Sequence, residues 1–197
     1  MRLLITSILS LAILSSCLSI HKPSYVDLEP DISLSQSIKV GNGQRIKLSF
    51  SKVDSMGFFY SDKQLGYKMK ENTFITKASS GIFSNNKLIN VIDNNFTKWF
   101  KVNNFKVVKS RDFDKEVNVK LGYYSFQPVA YQPKIRFAIK ITINDSKKRK
   151  IFSKWYFYER EYKDTLKKES NEKNINLSIK HLLEDIFRDN NFIHKLQ

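Results

Sequence analysis

The chain has a single cysteine in 197 residues, at position 17, directly after two serines. No second thiol exists for a disulfide, a redox pair or a Cys-ligated metal, so the fold has to hold by burial. Long apolar runs are missing too. The longest, Leu3 to Leu14, is interrupted by Thr6, Ser7 and Ser10. As a helix its 12 residues would reach about 18 Å, well short of the ~30 Å hydrocarbon core of a bilayer. No G-x-S-x-G occurs, and His21, His181 and His194 stand alone without a second histidine four residues on, which speaks against a nucleophile elbow and a histidine metal site. Asp112, Asp114 and Glu116 alternate in one short stretch, but with Lys109, Arg111 and Lys115 beside them they read as a solvated or ion-paired turn before they read as general acids. Gly41 and Gly43 precede a strand pattern rather than a helix, which makes a turn and not a phosphate cradle. The expectation is a non-catalytic protein with no cofactor and no metal.

What the first residues do contain is ordered. Met1-Arg2 gives a short positive start, the apolar run follows, and Ser15 and Ser16 are small enough for a signal peptidase pocket. The quartet Leu14-Ser15-Ser16-Cys17 resembles the lipobox of bacterial lipoproteins. That resemblance implies cleavage between Ser16 and Cys17 and diacylation of the Cys17 sulfur, and several acyl chains on one residue anchor stably where one alone would not. Leu18 follows the cysteine where many Gram-negative lipoproteins retained in the inner membrane carry Asp, so the analogy points to the outer membrane, facing the periplasm.

Acidic residues are few, 19 against 34 Lys and Arg. Loss of residues 1–16 would remove Arg2 and leave 33 basic against 19 acidic side chains, a net charge of +14 on 181 residues. Such a charge favours anionic partners, and an export signal makes an envelope surface a better candidate than nucleic acid. The same lysines can also be compositional, in a chain rich in Lys, Asn, Ile and Phe. A hydrophobic fraction of 41% with 13% aromatics supplies a core and argues against disorder.

Residues 17–44 are polar and broken by Pro23, Pro30 and Gly41-Asn42-Gly43, which reads as a lipidated N-terminus and flexible tether, with Tyr25 to Pro30 able to add an edge strand. The remainder, 45–197, reads as one α+β domain. Ile46, Leu48 and Phe50 alternate as a half-buried strand. A long connection from Asp54 to Gly81 holds Leu65-Gly66 and calls for hidden strand pairing around Phe74-Ile75. Ser84 is a candidate cap for a helix whose Leu88, Ile89, Ile92, Phe96, Trp99 and Phe100 recur at helical steps. Strands follow at 105–109, at Val117 to Tyr123, at Ile135 to Ile143 and at 154–162, the last three as an antiparallel meander turned at Asn144-Asp145-Ser146. A final helix over 174–188 carries Ile175, Ile179, Leu182, Leu183 and Ile186. The expected architecture is a mixed, mainly antiparallel sheet of about five strands with two amphipathic helices on one face.

In this order the segments resemble the YajG family of bacterial lipoproteins. The likeness rests on the lipobox, on V-D-L-E-P at 26–30, on a first strand ending Val53-Asp54 with Leu65-Gly66 after it, on Asn104-Phe105-Lys106-Val107-Val108 after the helix, on the meander, and on a last helix running into Phe187-Arg188-Asp189. It implies an envelope lipoprotein rather than an activity. Members tend to carry Arg two residues after the strand-ending Asp; Met56 stands there, so no role of that Arg carries over. Small α/β domains on a tether are shared with the auxiliary lipoproteins of lipid transporters, which gives the alternative of a lipid-handling accessory binding anionic lipid or glycolipid.

One surface stands out for such a partner, whether anionic lipid or an envelope protein. Lys147, Lys148, Arg149 and Lys150 fall at a hairpin tip, where they either contact an anionic surface or simply solvate the turn. The aromatic run Trp155-Tyr156-Phe157-Tyr158 reads as core on one side and cross-strand packing on the other.

Overall fold

The computed structural model describes residues 24–32, 40–52, 64–69, 79–127, 134–162 and 168–197. Among these described residues eight strands form one mixed sheet: β1 (Ser24–Val26), β2 (Arg45–Lys52), β3 (Gln64–Met69), β4 (Ser79–Ser84), β5 (Lys106–Val108), β6 (Lys115–Gln127), β7 (Lys134–Asp145) and β8 (Lys150–Glu161). Three helices accompany them, α1 (Leu88–Val102), α2 (Lys168–Phe187) and α3 (Asn190–Leu196). The α+β class and the β6–β7–β8 antiparallel meander agree with the sequence pattern. The strand count is higher than expected because short, non-local partners join the meander. Parallel β2 pairs with the first half of β6, β5 adds beside β2, and β3 meets the end of β6 at Gly66 opposite Phe126, bringing β4 and β1 with it.

Alternation decides which way the sheet faces. Val117 and Val119 of β6, Ile135, Phe137, Ile139, Ile141 and Ile143 of β7, and Tyr156 of β8 are buried on the helix side. The helices meet them with Ile175, Ile179, Leu182, Leu183 and Ile186 of α2 and with Leu88, Ile92, Phe96, Trp99 and Phe100 of α1. Trp99 lies at the junction of the elements. Its indole stacks on Phe187 (5.0 Å, 10°) and meets Phe100, Phe105 and Phe192, so one side chain joins α1, the start of β5 and the α2–α3 corner.

Several local boundaries differ from the pattern. Ser84 ends β4 and its Oγ bonds the carbonyl of Asn86; α1 instead begins after Lys87, with no side-chain cap. The last helix starts earlier, at Lys168, and a separate α3 follows, which its short length hid. Asp189 makes that break. Its carboxylate accepts the N–H groups of Asn191 and Phe192 at the α3 N-terminus and also takes Lys154 Nζ and the Tyr156 hydroxyl of β8, each at 2.7 Å. Phe74-Ile75, Val53-Asp54 and Met56 lie outside the described residues.

The tether expected over 17–44 is in part built into the domain. Val26 and Leu28 are buried, and Asn176 of α2 grips the segment through its amide, accepting from Glu29 N (2.8 Å) and donating to Asp27 O (2.9 Å). Further on, Gly41 sits against the end of α1. A Cβ there would lie 2.8 Å from the carbonyl of Asn103, to which Gly41 N itself donates, so glycine is required by close approach.

Gly41→Ala therefore should lower unfolding free energy by roughly 1–3 kcal/mol, measured by denaturant titration, since backbone rather than a flexible side chain must yield. Asp189→Ala, which removes a cap and two bonds to a mostly buried carboxylate, should cost about 2–4 kcal/mol. Burial opposes the charge of Asp189, but Lys154, Tyr156 and the Asn191 N–H outweigh it and hold its pKa below the usual value. A depressed folded pKa stabilises above the unfolded value of about 3.9 and is lost as pH falls through the folded one. The gap between wild type and Asp189→Ala should accordingly be constant near neutral pH and narrow in acid.

Candidate functional site

Ser16 and Cys17 lie outside the described residues, and the described chain enters the fold at Ser24. That entry is fixed: Asp27 N bonds Glu172 of α2 (3.2 Å), Asn85 Nδ2 bonds Asp27 Oδ1 (2.6 Å), and Val26 O accepts from Asn85 N (3.0 Å). Cys17 and Ser24 are seven residue steps apart in the chain, so the two are at most about 25 Å apart at ~3.5 Å per step.

The basic tip lies at the other end of the sheet. Ser24 is level with Ile82, Gly66 and Phe126 across the strands, whereas the tip is level with Lys115, which pairs with Asp145. Eleven residues of β6 separate those levels, roughly 36 Å at ~3.3 Å each. With a reach of at most about 25 Å from Ser24, a surface that holds Cys17 can therefore meet the tip only when the long axis of the sheet leans to within about 45° of that surface.

Within the tip the four cations are not equivalent. Asp145 Oδ1 accepts the N–H groups of Lys147 and Arg149, both at 2.9 Å, and Oδ2 takes Arg149 Nε at 2.8 Å, while Lys148 adopts φ 61°. The Arg149 backbone and guanidinium hold the Asp145 pKa below the usual range. Arg149 is thus committed to the turn. Lys147, Lys148 and Lys150 are exposed and have no ion-pair partner among the described residues.

The helix-free face of the sheet is polar over most of its area and largely charge-compensated. Arg45 is clamped by Asp112 and Asp114, Lys47 pairs with Glu116 at 2.7 Å, and Lys134 and Arg136 pair with Glu159 and Glu161 at 3.0–3.2 Å. The three alternating carboxylates seen in the sequence are therefore partners of β2, not of Lys109, Arg111 or Lys115. The Arg45 N–H and guanidinium depress the Asp114 pKa, and Lys47 depresses that of Glu116, the opposite of what a general acid needs.

Toward β8 this face changes character. Trp155 and Phe157 stack at 6.0 Å and remain 37% and 63% exposed, so the expected cross-strand packing covers only part of them. Trp155 lies across Gly122, where a Cβ would meet the indole at 2.5 Å, and Lys140 Nζ stands 5.7 Å from the ring. Lys120 and Lys140 carry no ion pair among the described residues. Periodicity could not reveal this step, because both rows of β8 are aromatic: Tyr156 and Tyr158 turn to the helices, Tyr158 stacking on His181, and Trp155 and Phe157 turn out.

A second concavity, about 680 Å³, opens between Leu28–Pro30 and the start of α1. Asn86, Asn90, Asn94, Lys87 and Lys98 make its lining mainly amide and ammonium, which suits polar groups and not an acyl chain.

No protein-family model matches the sequence, and no curated protein matches it. Among solved structures, the XCC0632 protein of Xanthomonas campestris, a DUF330 protein, superposes with a TM-score of 0.66 at 7% identity, over 88% of this chain and 97% of that one. An uncharacterised protein superposes at 0.52 with 12% identity, over 86% and 99%. A lipoprotein of Neisseria meningitidis, GNA1162, reaches only 0.38 at 7% identity, over 69% and 97%. Neither of the first two bears the YajG name. At these identities what is shared is the α+β fold over nearly the whole of each chain.

Proposed function

We propose that this chain is a lipid-anchored lipoprotein of the bacterial cell envelope, held at Cys17 and acting by binding another envelope component rather than by catalysis. The observation that carries the reading is Leu14-Ser15-Ser16-Cys17 at the end of an apolar run too short to span a bilayer. The resemblance to the YajG family fits it, as does Leu18, which by analogy favours the outer membrane with the domain in the periplasm. No helix among the described residues is long and apolar enough to cross a membrane, and the chain enters the domain at one end of the sheet, where a lipid graft leaves the fold undisturbed. A binding role is supported by carboxylates committed to ion pairs and by surface aromatics left uncovered.

Anionic lipid as the bound component, with a role in lipid handling or beside a transporter, is favoured by Lys120 and Lys140 beside that aromatic step, which have no ion-pair partner among the described residues. The polar cleft at α1 argues against acyl-chain capture there, so surface recognition of headgroups is the form this reading takes.

Metabolic labelling with a palmitate analogue tests the anchor. Wild type should incorporate the label and Cys17→Ser should not; an unlabelled wild type, or a labelled Cys17→Ser, contradicts it.

A further inference from the structure

We propose that the helix-free face of the β7–β8 hairpin is a docking surface for an anionic phospholipid bilayer, with Trp155 and Phe157 entering the headgroup region and Lys120, Lys140, Lys147, Lys148 and Lys150 facing lipid phosphates. This inference deepens the lipid-binding reading above and rests on it, and it takes only the orientation from the anchor at Cys17.

Three independent features converge on this face. The first is uncovered apolar area: Phe157 is 63% exposed and stacks on Trp155 rather than under any other element. Covering Gly122 accounts for the indole, but no contact among the described residues, apart from that stacking, accounts for the phenyl ring beside it. Paired aromatics with one amphipathic member suit the interfacial zone of a bilayer.

The second feature is how charge is distributed. On the same face, Arg45, Lys47, Lys134 and Arg136 are each neutralised by a carboxylate; among the described residues the cations without an ion pair are Lys106 at the far β5 edge, Lys120 and Lys140 beside the aromatics, and Lys147, Lys148 and Lys150 at the end of the same hairpin. Lys150 and Trp155 are five residues apart on β8, so roughly 17 Å of nearly straight strand carries both ends of the patch. A planar anionic surface can meet all of it at once.

The third is geometry. Because the tip and the chain entry lie about 36 Å apart along the sheet and Cys17 reaches at most about 25 Å from Ser24, a molecule anchored at Cys17 that uses the tip cannot stand upright. Lying on the helix-free side brings the tip and the aromatic step to the bilayer together. The tryptophans make the test direct, since Trp99 is fully buried and Trp155 is the other one in the chain.

Native protein, purified from membranes with its anchor, is reconstituted into vesicles of phosphatidylcholine alone or of equal parts phosphatidylglycerol and phosphatidylcholine. In the mixed vesicles the Trp155 emission should shift to the blue, its quenching by aqueous iodide should fall several-fold, and brominated acyl chains should quench it. In phosphatidylcholine alone, or at high salt, iodide access should return. Replacing the five lysines by Gln should abolish the shift, and Phe157→Ser should weaken it with the circular dichroism spectrum unchanged. Equal iodide access in both vesicle types overturns the proposal. So does Trp155 shielding that depends on protein concentration and needs no lipid, which would assign the face to a second copy of the chain. Should the protein fail to float with phosphatidylcholine vesicles, the anchor fails separately, and docking is read from phosphatidylglycerol vesicles added to free protein.

Discussion

Strand β6 bears the pairing on which the sheet depends. One of its edges takes β2 along the first half and β3 at Phe126, and the other takes β7 over its whole length. With both edges used, β6 can offer only its faces to the rest of the molecule. Its buried Val117, Val119, Leu121 and Tyr124 share the side on which β7 buries five aromatic and aliphatic side chains, so the described helices collect on that side. The other side is left to satisfy itself with ion pairs and solvent. A one-sided core of this kind creates a broad open face as a by-product of folding, and the surface chemistry follows from what the alternate rows place there.

The helix layer is locked in turn by aromatic contacts around Trp99 and by Asp189. The first removes apolar area from water where α1, α2 and α3 converge. The second fixes the angle between α2 and α3 by capping one helix while holding two side chains of β8. These two devices place the last described residues beside β8, and they keep the hairpin that carries the exposed aromatics rigid along its length. The N-terminal segment is held as firmly. Asn176 supplies to Asp27 and Glu29 the two hydrogen bonds that a neighbouring strand would have given, which sets where any anchor upstream must start.

What could be read from the sequence was whatever is local. Ile135 to Ile143 alternate without interruption, α1 and α2 show their apolar stripes, and the Asn144–Ser146 turn lies where its residue types put it. What could not be read depends on distant partners. The parallel pairing of β2 with β6 joins residues about 70 apart, and β1 finds β4 across a similar gap, with no turn to mark either. The cap at Asp189 was hidden for a related reason: a seven-residue helix has too little period to show, and the carboxylate earns its role through β8. At the candidate surface the basic tip was visible as a run of charge, but Arg149 being committed to Asp145 was not. The division of four consecutive aromatics into two turned to the helices, one buried and one half-buried, and two left open also required the third dimension.

A flat-lying molecule and an upright one differ in a single length. Neutron reflectometry of the native lipidated protein on a supported bilayer containing phosphatidylglycerol measures that length as the thickness of the protein layer. One sheet with one layer of helices gives about 20–25 Å, the value expected if the open face meets the lipid. A layer of roughly 40 Å or more, the span of the 12-residue β7 standing on end, would contradict it.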